Sequence, residues 1–493
     1  MSLSLKQVST HNSDKSCWVI IKDSVYDVTE FLSEHPGGSK IILKYAGKDA
    51  TAAYEPIHPP DALEKNLPPQ KHLGKLDSVS LDQLELARGH RKKTEDELRI
   101  EREQAAKPPI NRILNLKQME DVARKVLSYK ALAYYSSAAD DEISNLENAR
   151  AFSRFFFRPR VLRPLSNCDP STTILGFKSK IPVFVSGAAL AKLGHPDGEA
   201  NITIGAGKTG IIQMVSSNAS LSFEQVAASR ISPSQPLFFQ LYKKKDNKAA
   251  EQRIRDVEAL GYKAIWLTVD APVPGNRERD VIAGWEIDDI ERLAQGDKAK
   301  ADQPRKKSDM EEVEETIDTT GTAGALIAND DINMTWTETI PWIRSITRLP
   351  IVLKGVQCVE DAVLAAEAGV DGILLSNHGG RQLDFSPPPL EVLYQIRKER
   401  PDVFNKMEVY IDGGVRRGTD VVKAVCLGAK AVGLGRPFLY AQSAYGAAGV
   451  VKIVRILERE IVTAMQLIGA RRVSDLVPEM VQRVDWEPIQ AKL

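Results

Sequence analysis

Eight short runs of apolar and β-branched residues, separated by helical segments, are the feature that most constrains the fold of this 493-residue chain. The runs begin at residue 181 and are IPVFVS, GIIQMVS, LFFQLY, AIWLTVD, PIVLKG, GILLSN, EVYIDGG and AVGLG. Eight alternations of strand and helix are typical of a closed parallel barrel, whereas an open doubly wound sheet rarely needs so many strands. The sequence therefore predicts an α/β TIM (β/α)8 barrel.

The residues before the barrel divide into two further parts. Residues 1–76 contain short aromatic-rich runs broken by turn residues, which predicts a small α+β domain. Residues 77–109 are dense in charge and closed by two prolines, which is typical of a hinge or linker that is helical in part. The barrel domain is then 110–493. Within it we expect a mobile polar insertion at about 282–329 and a C-terminal arm at about 477–493 that embraces a neighbouring subunit.

Composition limits the classes of partner. The 66 basic and 66 acidic side chains give a formal net charge of zero, so no overall field favours nucleic acid or an anionic membrane. No apolar run reaches membrane-spanning length, and the four cysteines form no Cys-x-x-Cys pair, which is typical of a reducing compartment. The N-terminus resembles neither a signal peptide nor a transit peptide, so the expected location is the cytoplasm. We expect no nucleic-acid partner and no membrane.

One glycine-rich motif has no expected function. The GAGKTG of residues 205–210 has the spacing of a dinucleotide fingerprint, but it ends a predicted helix and leads into a strand, the reverse of the order that such a site needs. A P-loop would also need glycine at Ile202. The motif is interpreted as a helix C-cap followed by a turn.

Polar residues follow the predicted strands at their carboxyl ends, which form the edge where TIM barrels place their chemistry. These residues are Ser216, Gln240, Tyr242, Thr268, Asp270, Lys354, Ser376, His378, Asp412, Gly435 and Arg436. After the seventh and eighth strands, DGGVRRG and GLGRPF supply glycine amides with Arg416 and Arg436, a combination that favours a phosphate group. The alternative is glycines that only form tight turns beside surface arginines. We expect a cofactor that carries phosphate.

His378, in the segment SNHGGRQLD, stands at the centre of this predicted edge. An imidazole titrates near neutral pH and can take a proton from a substrate hydroxyl or carbon. Asp270, from another strand end, can orient the ring and stabilise the imidazolium. Lys354 offers positive charge for a reduced, anionic flavin ring. Each residue taken alone has an ordinary alternative interpretation. Asp270 also fits the cap of a helix, and Lys354 also fits a solvated lysine of the barrel.

Two arginines and two tyrosines complete the predicted site. Arg381 offers a planar fork that matches a carboxylate, and Arg277 in GNRERD can assist it. Tyr134 and Tyr242 carry hydroxyl groups that can bind a substrate carboxylate or alcohol, although Tyr134 alone also fits a core residue. A base, a carboxylate clamp and an electron sink together indicate oxidation of a 2-hydroxy acid to a 2-oxo acid.

Two histidines of the N-terminal domain form a separate candidate site. His35 in EHPGG and His58 in EPIH are 23 residues apart, with helical, turn and apolar sequence between them. Two neutral imidazoles that face each other across an apolar pocket suit axial ligation of a haem iron with no open position for oxygen. The alternative is that His35 caps a turn and His58 lies on the surface.

Two family resemblances bear on these sites. HPGGSKIILKYAGKDAT resembles the haem-binding motif of the cytochrome b5 family, which implies haem b on His35 and His58. Residues from about 110 to 480 resemble the FMN-dependent 2-hydroxy acid dehydrogenase and oxidase family, and SNHGGRQLD is its active-site signature. That resemblance implies His378 as the catalytic base and Asp270 as its partner. It implies Arg381 and Arg277 as ligands of the substrate carboxylate, and Tyr134 and Tyr242 as further substrate contacts. It also implies FMN bound by Ala189, Ser216, Gln240, Thr268, Lys354, Ser376, Asp412, Gly413, Arg416, Gly435 and Arg436.

The order of haem domain, hinge and FMN barrel resembles the flavocytochrome b2 type of L-lactate dehydrogenase. This resemblance implies oxidation of L-lactate to pyruvate, with electrons passed singly through haem to an external acceptor such as cytochrome c. It also implies a homotetramer and, as an alternative location, the mitochondrial intermembrane space. The second hypothesis is a 2-hydroxy acid oxidase that reduces oxygen directly, and the third is a haem module fused to an inactive barrel.

Three positions depart from the family pattern. Ala188 stands where the family has threonine, Asn218 where lactate enzymes tend to have leucine, and Pro274 where an apolar residue borders the same pocket. Because Asn218 can admit a more polar or differently shaped substrate, glycolate-like and mandelate-like acids stay open as alternatives. The absence of a presequence is a fourth difference, and it leaves the electron acceptor open.

Overall fold

A five-stranded sheet organises the N-terminal domain in the computed structural model, which describes residues 2–294 and 321–485. The sheet has the order β1-β5-β4-β3-β2, with β1 Ser2–Leu3, β2 Asn12–Ser13, β3 Ser16–Ile21, β4 Ser24–Asp27 and β5 His72–Leu76. Four short helices complete the domain: α1 Leu5–Ser9, α2 Ser39–Leu43, α3 Thr51–Tyr54 and α4 Ala62–Asn66. Residues of β3 alternate between two apolar clusters, because successive side chains of a strand point to opposite faces. The predicted α+β fold of this domain is confirmed.

The predicted linker consists largely of two helices, α5 Ser78–His90 and α6 Glu95–Ala106, and each helix is attached to a different neighbour. In α5, Arg88 donates hydrogen bonds to the Asp49 carboxylate of the N-terminal domain. In α6, Arg99 donates to the carbonyl oxygens of Lys125 and Leu127 in the barrel domain. Part of the charge that indicated a hinge or linker therefore fixes the two helices to the folded parts on either side.

Eight parallel strands close into a barrel, as the sequence predicted, and β16 pairs with β9 to complete the ring. The strands are β9 Val183–Val185, β10 Ile212–Ser216, β11 Leu237–Leu241, β12 Ile265–Thr268, β13 Ile351–Val356, β14 Gly372–Leu375, β15 Glu408–Asp412 and β16 Ala431–Leu434. The antiparallel hairpin of β7 Thr172–Ile174 and β8 Phe177–Ser179 lies at the amino ends of the strands, where Leu175 N–H donates to Glu408 of β15.

Helices surround the barrel and precede it. Those that precede it are α7 Leu116–Val126, α8 Tyr129–Ser136 and α9 Ile143–Ala151. Those that follow barrel strands are α10 Gly198–Thr209, α11 Phe223–Ala228, α12 Asn247–Ala259, α13 Glu278–Ala294, α14 Gly321–Ile327, α15 Trp336–Ile346, α16 Val359–Glu367, α17 Pro389–Glu399, α18 Val403–Lys406, α19 Gly418–Cys426 and α20 Arg436–Leu467. Helix α10 ends at Gly210 with φ of 70°, so GAGKTG is the helix end and C-cap that the sequence predicted. Among the described residues, no helix is long and apolar enough to cross a membrane.

Two predicted peripheral segments are described in part. The ends of the predicted insertion are helical, since α13 and α14 cover residues 278–294 and 321–327, and the remainder lies outside the described residues. Ala323 of α14 is buried and donates its N–H to Asp280, so this end of the insertion packs. The described start of the predicted C-terminal arm forms β17 Val481–Arg483, which pairs with β6 Phe155–Phe157 of the same chain. Residues 486–493 lie outside the described part.

Inward-facing positions of the barrel strands change from apolar to polar toward the carboxyl end. On β12, Ile265 and Leu267 pack outward with the surrounding helices, whereas Trp266 belongs to a separate cluster inside the barrel. Two residues beyond Trp266, and therefore on the same face, is Thr268. The same step of two residues leads from inward Phe238, Val352, Leu374 and Tyr410 to Gln240, Lys354, Ser376 and Asp412. The apolar lower layer stabilises the barrel, and the polar upper layer faces the candidate site.

Candidate active site

Four predicted catalytic residues form one connected hydrogen-bond network. Asp270 Oδ1 lies 3.0 Å from His378 Nδ1, and Asp270 Oδ2 lies 3.2 Å from Lys354 Nζ. Tyr242 Oη lies 3.2 Å from His378 Nε2, on the other side of the ring. Because the carboxylate only accepts, Nδ1 carries the ring proton and Nε2 keeps its lone pair, to which the Tyr242 hydroxyl donates. His378 therefore presents an unprotonated Nε2 on the side of the ring away from Asp270.

The local backbone explains why histidine is followed by two glycines. His378 has φ of 58°, and Gly379 and Gly380 have φ of 67° and 74°, so three successive residues adopt the left-handed conformation. Glycine tolerates this conformation, whereas at His378 it costs of order 1 kcal/mol. A Cβ atom at Gly380 would clash with the backbone of Asn145. The turn aims the imidazole at Asp270, and Ser376 Oγ supports it by accepting the His378 N–H at 3.1 Å.

Burial and charge set the protonation of the network. Burial alone would raise the pKa of Asp270, but the charges of His378 and Lys354 lower it to about 2. Burial lowers the pKa of His378 to about 4; Asp270 opposes this shift and Lys354 adds to it. At neutral pH the carboxylate is ionised and the imidazole is neutral, which is the form that a general base requires.

Two guanidinium groups lie close together beside this network. Arg277 is buried and donates to the Arg381 carbonyl at 3.1 Å, and the Arg381 guanidinium lies 5.2 Å from the centre of the Tyr134 ring. Burial and the positive charge of Arg381 together lower the pKa of Arg277 to about 9. Two partly desolvated like charges repel unless an anion joins them. Together with the hydroxyls of Tyr134 and Tyr242, both buried, the arginines form a suitable site for a carboxylate.

The Asp412 carboxylate at the end of β15 has one oxygen without a hydrogen-bond donor among the described residues. Asp412 Oδ2 accepts the Ser186 hydroxyl at 3.0 Å, whereas Oδ1 is buried and has no hydrogen-bond partner among the described residues. Burial raises the pKa of Asp412. Gly413, with φ of 87°, lets the chain turn away directly after it. The orphaned oxygen fits the hydroxyl groups that FMN carries on its sugar-like chain, so this part of the predicted cofactor site suits FMN.

The remaining predicted FMN residues of the early strands lie in the same layer. Gln240 Nε2 donates to Thr268 Oγ1 at 3.0 Å, which fixes the amide across two neighbouring strands. A side chain at Gly187 would clash with that amide, so glycine is needed there. A cavity beside these residues is lined in part by Ser186, Ala188, Ser216, Gly435 and Phe438. Ala189 is partly buried on the same loop, next to Leu190, whose φ is 58°.

The two predicted phosphate-binding arginines are placed differently. Arg416 is exposed, and its N–H is bonded to Asp420. Arg436 is largely engaged with the protein, because its guanidinium donates to the carbonyl oxygens of Tyr135 and Ser137 and to Asn145 Oδ1. In this structure Arg436 fixes the segment between α8 and α9, and its contact with phosphate stays a prediction, as does that of Arg416.

Two residues that support the site had no predicted role. Gln382 accepts from Arg277 and donates to the Asp270 carbonyl, so it ties the clamp to the strand that carries the carboxylate. Gln382 lies within SNHGGRQLD, and its position next to Arg381 was the only sequence feature that pointed to a role in the site. Glu199 is buried and accepts from the N–H groups of Ala191 and Ser220, which joins the loops after β9 and β10. No local pattern distinguished Glu199 from an exposed helical glutamate.

The two predicted haem ligands face each other in the N-terminal domain. Their ring centroids are 6.1 Å apart, and metal–nitrogen bonds of about 2 Å on each side would place two axial imidazoles roughly this far apart. His35 Nδ1 donates to the Gly38 carbonyl and His58 Nδ1 to the Tyr54 carbonyl, each at 3.1 Å, so both Nε2 lone pairs are free for iron. A Cβ atom at Gly37 would lie 2.8 Å from His35 Cε1, which explains the first glycine of HPGG.

Aromatic residues of an apolar cluster lie against these rings. Phe31 lies 5.8 Å from His35 between ring centroids, and its cluster includes Leu32, Ala46, Leu67 and Tyr45. Tyr54 stacks on His58 with centroids 4.3 Å apart. Burial lowers the pKa of both histidines, to about 4 for His58, so both are neutral at pH 7, as metal ligation requires. The donor set and the apolar cluster suit a haem with two axial histidines.

Comparison with known protein families gives two matches along the chain. The cytochrome b5-like haem/steroid binding domain matches residues 4–77, and the FMN-dependent dehydrogenase family matches residues 123–483. The L-lactate dehydrogenase (cytochrome) of Wickerhamomyces anomalus is 46% identical over 96% of this chain and 78% of that protein. The protein of the same name from Saccharomyces cerevisiae is 42% identical over 97% of this chain and 79% of its own length. Glycolate oxidase 3 of Arabidopsis thaliana is 39% identical over 76% of this chain and 97% of that protein.

Solved structures of flavocytochrome b2 are also similar to this chain. A flavocytochrome b2 variant with pyruvate bound superposes with a TM-score of 0.69 and 41% identity, over 80% of this chain and 92% of that one. The flavin-binding domain of baker's yeast flavocytochrome b2 superposes with a TM-score of 0.70 and 39% identity, over 82% of this chain and 95% of that one. The chain thus resembles L-lactate dehydrogenases (cytochrome) over 96% and 97% of its length, whereas its similarity to glycolate oxidase 3 covers 76% of it.

Proposed function

The chain belongs to the FMN-dependent dehydrogenase family and carries a cytochrome b5-like domain, and from this we propose that it oxidises L-lactate to pyruvate. Its cofactors are FMN in the barrel and haem b in the N-terminal domain, and electrons leave singly through the haem to an external acceptor such as cytochrome c. The observation that carries the proposal is a neutral His378 paired with a buried carboxylate, beside two guanidinium groups that need an anion. A module with an inactive barrel would have no use for this arrangement.

Each step of the proposed reaction has a residue suited to it. The substrate carboxylate binds Arg277 and Arg381, which neutralises their mutual repulsion. The substrate hydroxyl replaces the Tyr242 hydroxyl as the partner of His378 Nε2 and gives its proton to that atom. Asp270 stabilises the imidazolium that results, since it already accepts the Nδ1–H.

The cofactors supply the redox chemistry. When bound, FMN takes the hydride equivalent from the substrate carbon and can release two electrons one at a time, which matches the single-electron chemistry of haem. Lys354 Nζ, buried at the end of β13, places a positive charge in the polar layer where FMN is expected. The residues proposed to hold FMN are Ala189, Ser216, Gln240, Thr268, Lys354, Ser376, Asp412, Gly413, Arg416, Gly435 and Arg436. The residues proposed to hold the haem iron are His35 and His58.

A visible spectrum of the purified holoenzyme, recorded without oxygen before and after L-lactate, tests the proposal. Bleaching of the flavin together with sharpened bands of reduced haem is the expected result. If the flavin bleached while the haem stayed oxidised, electrons would not pass through the haem, and the oxidase alternative would hold. If neither changed with L-lactate but both responded to glycolate or mandelate, the substrate would be wrong, and Asn218 would be the first residue to change.

We also propose that the protein is a homotetramer. Exposed apolar side chains support association, because Val161 and Leu162 are 81% and 101% exposed in a loop before the barrel. Light scattering coupled to size-exclusion chromatography tests this: a mass near four times 54.4 kDa is expected, and a mass near 54.4 kDa would contradict it.

A further inference from the structure

A hydrogen bond joins the haem domain to the flavin domain. Lys192 Nζ donates to the backbone carbonyl of Glu55 at 2.6 Å. Glu55 follows directly after α3 and lies three residues before the proposed haem ligand His58. Lys192 lies in the turn Ala191–Leu193, three residues after Ala189, a proposed FMN contact. The bond therefore links the segment that carries a proposed haem ligand to the loop that carries a proposed FMN contact.

Two further contacts support the same docked arrangement. Ile57, adjacent to His58, is partly buried and packs against the apolar core of the barrel domain. The pKa of Lys65 in α4 is raised by its hydrogen bond with Asp61 and, more weakly, by the charges of Glu224 and Asp256 of the barrel domain. One face of the haem domain, from Glu55 to Lys65, thus lies toward the barrel helices.

Hydrogen bonds hold the loop that carries Lys192 to its neighbours. The Lys192 backbone N–H donates to Ser220 Oγ at 2.9 Å, and the neighbouring Ala191 N–H donates to the buried Glu199 carboxylate at 3.1 Å. Tyr135 Oη donates to the Leu190 carbonyl at 2.7 Å. A long, flexible side chain loses rotamer entropy when it binds, but a fixed backbone limits that loss to the side chain itself.

The acceptor is a carbonyl at the end of a helix. The last carbonyl groups of a helix have no partner within the helix, so a lysine ammonium satisfies one of them without needing an acidic side chain. The Glu55 side chain points to a different cation, Lys22, whose Nζ is 3.5 Å away. The contact should therefore depend on Lys192 and hardly at all on the charge of Glu55.

We propose that Lys192 is a positioning residue that docks the haem domain on the flavin domain and so sets the rate at which electrons reach the haem. The proposal rests on the proposed function. With both cofactors bound, the flavin would supply one electron at a time to the haem, and Lys192 would contribute only the relative position of the two domains. The hinge helices α5 and α6 keep the two domains connected, and Lys192 holds them in the position suited to transfer.

The test uses the full-length holoenzyme and the variant Lys192→Met, which keeps the length of the side chain and removes its charge. Rapid mixing with L-lactate without oxygen follows flavin bleaching and haem reduction separately. We expect haem reduction to be about tenfold slower in the variant, with flavin bleaching unchanged, because one hydrogen bond from a charged donor is lost. Amide hydrogen exchange without substrate should increase in residues 51–58.

Two matched controls isolate the contact. Lys178→Met removes a lysine from β8, at the opposite end of the barrel, and should leave both rates unchanged. Glu55→Gln removes the side-chain charge but keeps the carbonyl acceptor, and it should also leave both rates unchanged. A tenfold effect of Glu55→Gln would overturn the assignment of the carbonyl as the acceptor.

The outcomes distinguish docking from the proposed function. Haem reduction at the wild-type rate in Lys192→Met, or an equal loss in flavin bleaching, would overturn the docking role. If L-lactate failed to bleach the wild-type flavin, the proposed function would be wrong. Docking would then be decided by hydrogen exchange and by haem reduction after photochemical reduction of the flavin, which needs no substrate.

Discussion

Replacing Asp270 with asparagine tests the core of the proposed chemistry. The side chain of Asp270 is fully buried, and its two oxygens accept from His378 and Lys354 at 3.0 and 3.2 Å. Asparagine preserves the shape of the side chain but removes the negative charge. Lys354 and the imidazolium that forms when His378 takes a proton then share a site without a compensating charge.

The expected magnitude follows from the burial of this pair. Removing one partner of a buried ion pair costs about 3–5 kcal/mol, and each factor of ten in rate corresponds to about 1.4 kcal/mol. The two figures together give a loss of roughly 100- to 5,000-fold in the rate of flavin reduction. We expect the lower end of this range, because the asparagine oxygen can still accept one hydrogen bond. KM for L-lactate should change little, since Arg277 and Arg381 are unaltered.

Anaerobic stopped-flow measurement of flavin bleaching against L-lactate concentration gives both quantities. The FMN and haem content of the variant, read from its spectrum, shows whether it has folded and loaded. Asp371→Asn is the matched control, because Asp371 is an aspartate at the opposite end of the barrel that accepts from Arg344 and Ile351. A fully loaded Asp270→Asn variant within threefold of the wild-type rate would refute the role of the carboxylate.

Three further predictions concern the base and the two cofactors. Burial lowers the pKa of His378 to about 4, and only the neutral ring is a base. The rate of flavin reduction should therefore stay constant from about pH 7 to about pH 5 and fall below about pH 5. A rate that already falls near pH 6.5 in stopped-flow measurements would contradict this. His58→Ala should abolish the haem absorption band, while FMN content and flavin bleaching stay within about twofold of wild type. The control is His90→Ala, at an exposed histidine. If His58→Ala retained haem, His58 would be excluded as a ligand. Asp412→Ala should weaken FMN binding by roughly 10- to 100-fold in a fluorescence titration of the apoprotein, because it removes an acceptor that is buried and unpaired among the described residues. Asp402→Ala, at an exposed site, should leave FMN affinity unchanged, and equal affinity in both variants would disprove the role of Asp412.

The parts of the fold that depend on local periodicity were predictable. All eight runs form barrel strands, because an apolar strand and an amphipathic helix each leave a signal within ten residues. The polar residues at the strand ends could be placed because parallel strands bring their carboxyl ends to one edge. The linker was predicted to be helical in part, but the contacts of Arg88 and Arg99 with the parts of the chain on either side leave no local signal and could not be predicted.

The sequence by itself determined which chemical groups this protein brings to its two sites: His35 in HPGG with His58 in EPIH, His378 in SNHGG, and polar residues at the strand ends. Only the tertiary structure decided how they pair. Asp270 meets Lys354 across 84 residues and His378 across 108, and no local pattern fixes such distances. Closure of the barrel also decided that Nε2 of His378 is the free nitrogen, that Arg436 bonds to the segment before the barrel, and that Lys192 meets the haem domain. The physical reason is that hydrogen bonds and burial depend on which atoms are close in space, whereas periodicity reports only what is close along the chain.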